Sequence, residues 1–173
     1  YFDCLPEWIP ESETCGDTIN NGCFMINPGF DYIGPGETVC GTSWFNGTYH
    51  DTDWFLFHLN QTTDVTITGT AEFPFFLGFV DEGGCTQPHG IAWGLGSPGE
   101  NVSVTHQFGP GTYDIYFASI FTNIVKCDSL DRYHFTMNGS YCLMPSAGAA
   151  TNVNSTSADL VWTSTGSLWN IEW

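Results

Sequence analysis

Between Thr52 and Val80 three runs with strand periodicity follow one another, separated only by short polar turns, and no helical repeat can be laid across them. Phe55, Phe57 and Leu59 alternate with Trp54, Leu56 and His58, so both faces of the first run are largely apolar, as in a central strand. The acidic turn Asp51-Thr52-Asp53 opens that run. Val65 and Ile67 then alternate with Thr66 and Thr68, the pattern of a half-exposed strand, and Phe75–Val80 is apolar again. A chain built on this stretch must stack sheets around it.

The rest of the chain keeps the same grammar. Ile91–Leu95 is a short run. Val102, Val104, His106 and Phe108 alternate with polar residues, as do Tyr113, Ile115 and Phe117, and then Tyr133, Phe135 and Met137. Gly, Pro and Asn punctuate these runs. An all-β protein, an antiparallel β-sandwich over residues 38–141, follows from that spacing. Residues 1–37 read as a Cys-rich loop extension packed on the sandwich, with one short strand near Phe24–Ile26. Residues 142–150 read as a linker. Residues 151–173, with Ala158, Leu160 and Trp162 and then Trp169, Ile171 and Trp173 at period two, read as the first strands of a second β module. So few strands would leave open edges, so either the natural chain continues or another chain completes the module.

Composition narrows the partners. Two Lys+Arg against 19 Asp+Glu give a net charge of −17. Such a field repels phosphate backbones and anionic membrane surfaces, which argues against nucleic acid, and no apolar run is long enough for membrane insertion. Seven cysteines with no Cys-x-x-Cys pair point to disulfides and an oxidising, extracytoplasmic compartment, with Tyr1 following a removed signal. Nearest-neighbour logic pairs Cys4 with Cys15, Cys23 with Cys40 and Cys85 with Cys127. The first four alone allow three connectivities, and Cys142 is left over.

The run Gly47-Thr48, Asp51-Thr52-Asp53-Trp54-Phe55, with Val65-Thr66-Ile67-Thr68 and the later Gly111-Thr112-Tyr113-Asp114-Ile115, resembles the bacterial pre-peptidase C-terminal (PPC) domain across residues 38–138. The N-terminal cysteines resemble the extension carried by a Cys-rich branch of that family. Residues 146–173 look like the start of a bacterial fibronectin type III domain. The resemblances imply a jelly-roll-like sandwich followed by an incomplete immunoglobulin-like segment. They also imply non-catalytic modules of secreted surface proteins and exported hydrolases, some of which bind calcium or extracellular polymers.

Candidate sites follow. Asp51, Asp53, Asp81 and Glu82 are hard oxygen donors at strand entrances, suited to a structural Ca²⁺, and Asp128 and Asp131 are further loop acids. Trp44, Tyr49 and Trp93 are candidate contacts for a polysaccharide or protein. Thr18 and Ser129, each following Asp, resemble a bacterial O-glycosylation motif, and Asn46, Asn60, Asn101, Asn138 and Asn154 open Asn-x-Ser/Thr sequons. Gly94-x-Gly96-x-x-Gly99 matches a dinucleotide fingerprint only by letters, because a strand and not a helix follows it. No motif supports catalysis. The expected function is a secreted structural or adhesive module of a bacterial cell-surface protein or filament, assembling with other domains or copies of itself by strand addition. The rival is an accessory module holding an exported hydrolase on its substrate.

Overall fold

The computed structural model describes residues 2–81, 85–86, 88–120, 124–127 and 130–140, together with the pairs 146–147 and 162–163. The chain divides into two compact units, Tyr1–Ser140 and Tyr141–Trp173. The first is a sandwich of two five-stranded sheets. One sheet has the order β1 (Ile9–Pro10), β3 (Thr38–Thr42), β10 (Arg132–Ser140), β5 (Thr63–Ala71), β8 (Val102–Phe108). The other has the order β2 (Asp31–Tyr32), β4 (Thr52–Leu59), β9 (Gly111–Ser119), β6 (Phe75–Asp81), β7 (His89–Gly96). In the second unit, β11 (Ser146–Ala147) pairs antiparallel with β12 (Trp162–Thr163), which puts a short strand inside the stretch read as a linker.

Period-two patterning sets which side chains meet. Asp53, Phe55, Phe57 and Leu59 of β4 share the inner face, where Phe55 lies 5.0 Å from Phe135 and Phe57 lies 5.4 Å from Phe108. Phe75, Phe117 and Tyr133 stack in nearly parallel planes, with 5.3 Å and 4.0 Å between ring centroids. Each such fully buried side chain contributes about 1.5–3 kcal/mol. Trp54, on the outer face of β4, is also buried, because Phe24, Phe30 and Tyr116 meet its ring edge-on at 5.6, 6.2 and 5.4 Å. That explains why β4 reads as apolar on both sides: the arm supplies a second, smaller core on the back of its sheet.

The arm differs from expectation in three respects. It makes two-residue parallel pairings with both sheets, Ile9↔Val39 and Pro10↔Cys40 in one, Asp31↔Phe55 and Tyr32↔Leu56 in the other. The expected strand at Phe24–Ile26 is instead a turn closed by the Gly22↔Gly29 bridge. Gly22, at φ +48°, is needed there, because a Cβ would fall on the Trp54 indole. The six cysteines expected in bridges are bridged, but to other partners. They form Cys4–Cys40, Cys15–Cys127 and Cys23–Cys85, with Cα–Cα distances of 5.6, 5.5 and 4.9 Å. The expected pairs Cys4–Cys15, Cys23–Cys40 and Cys85–Cys127 assumed an arm stapled to itself. The arm lies extended across the sandwich, so each of its three cysteines reaches a sandwich cysteine. β7 also runs longer than the short strand expected at Ile91–Leu95. Cys142, Glu82, Asp128, Ser129, Trp169, Asn154 and the other expected strand residues of 151–173, apart from Trp162, lie outside the described residues.

Candidate metal centre

At one end of the sandwich the inner face changes from apolar to acidic. Asp53 continues the inward row of Phe55 and Phe57, and Asp51 lies one step further along the chain; neither residue is exposed to solvent. The arm passes over this end and brings Glu13, which is 8% exposed. Carboxylate oxygens of Glu13, Asp51 and Asp53 lie within 4.8 Å of one another. No oxygen of Asp51 or Asp53, nor Glu13 Oε1, has a well-formed hydrogen bond among the described residues, although the Trp44 amide stands near Asp51 and the Tyr133 hydroxyl near Asp53. Buried carboxylates are ordinarily paired, so three of them presenting oxygens to one another at this range constitute a functional signal.

The neighbours fix the cluster without neutralising it. Glu13 Oε2 accepts the N–H groups of Ile19 and Asn20, the latter at 3.1 Å. Asn21 Oδ1 accepts from the Thr52 amide at 2.5 Å and the Thr52 hydroxyl at 2.7 Å, which locks the backbone between the two aspartates. Glu11, two residues before Glu13, is saturated: Oε1 accepts from Thr42 N at 2.6 Å and Thr42 Oγ1 at 3.0 Å, and Oε2 accepts from the Tyr133 hydroxyl at 2.7 Å. Gly41 leaves room for that approach, since a Cβ there would overlap the Glu11 carboxylate and sit 2.7 Å from Tyr133 Cζ. The two cationic side chains are no help. Arg132 pairs with exposed Asp3, and Lys126 is exposed.

Burial pushes three of these acids, Asp51, Asp53 and Glu11, upward. The Asp51 carboxyl is raised to about 9, by burial first and Glu13 second. Asp53 is raised well above its ordinary value by burial and then by Asp51. Glu11 reaches about 7, burial outweighing its three hydrogen bonds. A site that holds carboxylates this closely takes up protons or a cation. The donors are all oxygens, and opposite ligands of a calcium ion with bonds of about 2.3–2.6 Å stand about 4.6–5.2 Å apart, which the cluster's span accommodates. Glu13, Asp51 and Asp53 would hold the ion directly, with Glu11 and Asn21 fixing the backbone on either side. A cleft of about 540 Å³, lined among others by Glu11, Glu13 and Asp131, opens beside the cluster.

Two of the four expected ligands are thus brought together. Asp81 is not: its side chain is exposed, 3.9 Å from His89 Nε2, at the end of β6. Glu11 and Glu13 were missed, although Glu11-Ser12-Glu13 repeats the acid-x-acid form of Asp51-Thr52-Asp53.

The expected aromatic contacts separate. Trp44 is partly buried and its Nε1–H donates to Asp17 O at 3.0 Å, so it fastens the arm. Tyr49 is exposed in the turn held by Asn46 Oδ1, which accepts the Thr48 and Tyr49 amides at 2.9 Å. Trp93 is 57% exposed and stacks on Phe76 at 6.3 Å. Leu95 and Phe24, 61% and 64% exposed, share a cleft of about 320 Å³ over Phe76 and Tyr116, and a second cleft of about 210 Å³ lies on Phe24, Phe76 and Tyr116 as well. Thr18 and the sequon residues Asn46, Asn60, Asn101 and Asn138 are all exposed.

One pair has the composition of a hydrolytic dyad. His50 Nε2 lies 3.0 Å from Ser119 Oγ but also 2.7 Å from the Ser119 carbonyl oxygen. A carbonyl only accepts, so Nε2 carries the proton and has no lone pair with which to activate the hydroxyl. Ser119 is moreover 1% exposed. This arrangement serves structure.

The sequence matches no protein-family model and no curated protein. Among solved structures, the pre-peptidase C-terminal domain of collagenase from Bacillus anthracis is similar to this chain, with a TM-score of 0.45 and 18% identity over 62% of this chain and 93% of that one.

Proposed function

We propose that residues 1–140 form a non-catalytic, calcium-stabilised β-sandwich module of an exported protein, in which the ion closes the N-terminal arm onto the sandwich. The observation that carries this reading is the set of buried carboxylate oxygens that Glu13, Asp51 and Asp53 present to one another. Glu13 belongs to the arm and the aspartates to β4, so an ion held between them acts as a clasp. The three bridges joining arm to sandwich fit an oxidising compartment. Titration of chelator-stripped protein with calcium, followed by calorimetry and thermal melting, tests the clasp. The expected result is one saturable site and a melting midpoint that rises with free calcium. No heat and an unchanged midpoint would sink it.

The aromatic back of the sheet supports a second element of the reading, attachment to a neutral extracellular polysaccharide or protein. Trp93, Leu95 and Phe24 offer uncharged contact area on a protein whose charge of −17 repels polyanions. Such a module suits adhesion or the anchoring of an exported hydrolase. Retention on insoluble glycan or collagen that falls on Trp93→Ala is the expected result. Equal passage of both proteins through every column would remove this element.

A further inference from the structure

We infer that the Cys15–Cys127 disulfide sets the affinity of the acidic centre for calcium, making the site responsive to reduction. The inference rests on the calcium reading of that centre, and it follows from how the arm is attached around Glu13.

Glu13 is the arm's contribution to the cluster, and on its C-terminal side only hydrogen bonds and one disulfide return it there. Its Oε2 accepts from Ile19 and Asn20 of the same arm, and that part of the arm meets β4 through hydrogen bonds, the Asn20 carbonyl accepting from Trp54 N at 3.1 Å and Asn21 Oδ1 from Thr52. On the N-terminal side the arm is secured through Glu11, whose amide donates to Cys40 O at 3.0 Å and whose carboxylate meets Thr42 and Tyr133. On the C-terminal side the first attachment is covalent, two residues after Glu13, where Cys15 joins Cys127. Cys127 is well anchored. Val125 before it is buried and bridges to Phe45 with two 3.0 Å backbone bonds, and the Asp131 carbonyl after it accepts from Ser43 at 2.9 Å. Phe45 in turn bridges to His50, at the start of the acidic turn. The disulfide thus ties the arm beside Glu13 to the wall of the site that carries Asp51.

The neighbouring cleft gives Glu13 a path toward solvent. An intact bridge keeps Glu13 at high effective concentration at the site, whereas a reduced one leaves only the arm's hydrogen bonds to present it when calcium displaces the protons of the aspartates. Cys127 is exposed and Cys15 partly so, which leaves the bridge open to a dithiol. One dithiol thiolate attacks a bridge sulfur to give a mixed disulfide. The second thiol then closes the dithiol's own disulfide, and two electrons and two protons end on Cys15 and Cys127 as thiols. Affinity and reduction are linked reciprocally, so bound calcium must also protect the bridge.

The Cys23–Cys85 bridge supplies the comparison. It joins the turn under Phe24 to the β6–β7 loop, away from the acidic end, and its loss leaves the Glu13 tether in place. Calorimetric calcium titrations of three folded proteins are needed: wild type, Cys15→Ser/Cys127→Ser and Cys23→Ser/Cys85→Ser. The first double variant is expected to bind calcium about tenfold or more weakly and the second to stay within about threefold of wild type. In parallel, dithiothreitol is added to wild type with and without calcium, and alkylated Cys15 and Cys127 are followed by mass spectrometry. At equilibrium calcium should lower the ratio of reduced to bridged Cys15 and Cys127 about tenfold while leaving Cys23 and Cys85 less affected. Unchanged affinity in Cys15→Ser/Cys127→Ser, or equal losses in both double variants, would overturn the inference. So would an equilibrium extent of Cys15–Cys127 reduction indifferent to calcium, a test that needs no variant to fold. Absence of calcium binding to oxidised wild type would instead remove the reading on which the inference stands.

Discussion

Removing calcium should invert the usual response of an acidic protein to pH. In the ion-free protein the Asp51 carboxyl is held up at about 9, because it is buried beside Glu13. An acid raised in this way keeps its proton in the folded state, while the unfolded chain ionises above about pH 4, so stability falls as pH rises between about 4 and 9. Each pH unit inside that window is worth about 1.4 kcal/mol per proton, so acidification from pH 7 to pH 5 stabilises the stripped protein by roughly 3 kcal/mol for one such carboxyl. Asp53, raised by burial and by Asp51, and Glu11, raised to about 7 by burial, act in the same direction. For a chain of this size one such contribution corresponds to a melting midpoint higher by about 5–10 °C at pH 5 than at pH 7. Saturating calcium changes the sign. On the proposed calcium clasp the ion binds the ionised carboxylates and protons compete with it, so the loaded protein should lose stability on the same acidification. Urea and thermal melts of stripped and calcium-saturated protein at pH 5, 6 and 7 decide the matter. A stripped protein that weakens steadily from pH 7 to pH 5 would refute the reasoning, since it would mean that the cluster is ionised and satisfied without a cation.

Four substitutions probe separate parts of the same account. Asp53→Asn replaces a buried carboxyl that must take up a proton on folding and should raise the ion-free melting midpoint at pH 7 while weakening calcium binding by more than about tenfold, because it removes the cost of that protonation and deletes a ligand together. Gly41→Ala pushes a methyl group into the space occupied by Glu11 and Tyr133 and should destabilise by about 2–3 kcal/mol in urea melts. Trp54→Ala should cost about 3–5 kcal/mol and loosen the arm to proteolysis, whereas Trp93→Ala, on the exposed part of the same face, should change stability by less than about 1 kcal/mol.

The strands were legible because each obeys a local rule. Alternation along Phe55–Leu59, Val65–Ile67, Val102–Phe108 and Tyr133–Met137 assigns the inner face of both sheets from side-chain chemistry alone, and Gly or Asn marks most of the turns. Asp51 and Asp53 stand out in the sequence only as acids at a strand entrance; that Asp53 continues the inward row of Phe55 and Phe57 is what the structure adds. The arm obeys no local rule. Its two strands are two residues each and parallel, a pairing with no turn chemistry or periodicity to announce it. Its bridges span 36, 112 and 62 residues, so proximity in sequence pointed to the wrong partners.

What the arm lacks in pattern it holds in composition, and the two facts have one cause. A segment that folds on its own must carry its own apolar period, whereas one drawn onto a finished surface needs only matching anchors at its contact points. Residues 4–30 carry such anchors at irregular intervals: Cys4, Glu11, Glu13, Cys15, Asn20, Asn21, Cys23, Phe24 and Phe30. Each has its counterpart on the sandwich, in Cys40, Thr42, Asp51 and Asp53, Cys127, Trp54, Thr52 and Cys85. One contact is of another kind. Glu13 meets two buried aspartates that must hold protons to lie beside it, where an amide or a lysine would give a simpler contact. It sits between a disulfide and the hydrogen-bonded Glu11, which is the arrangement expected where a cation completes the surface.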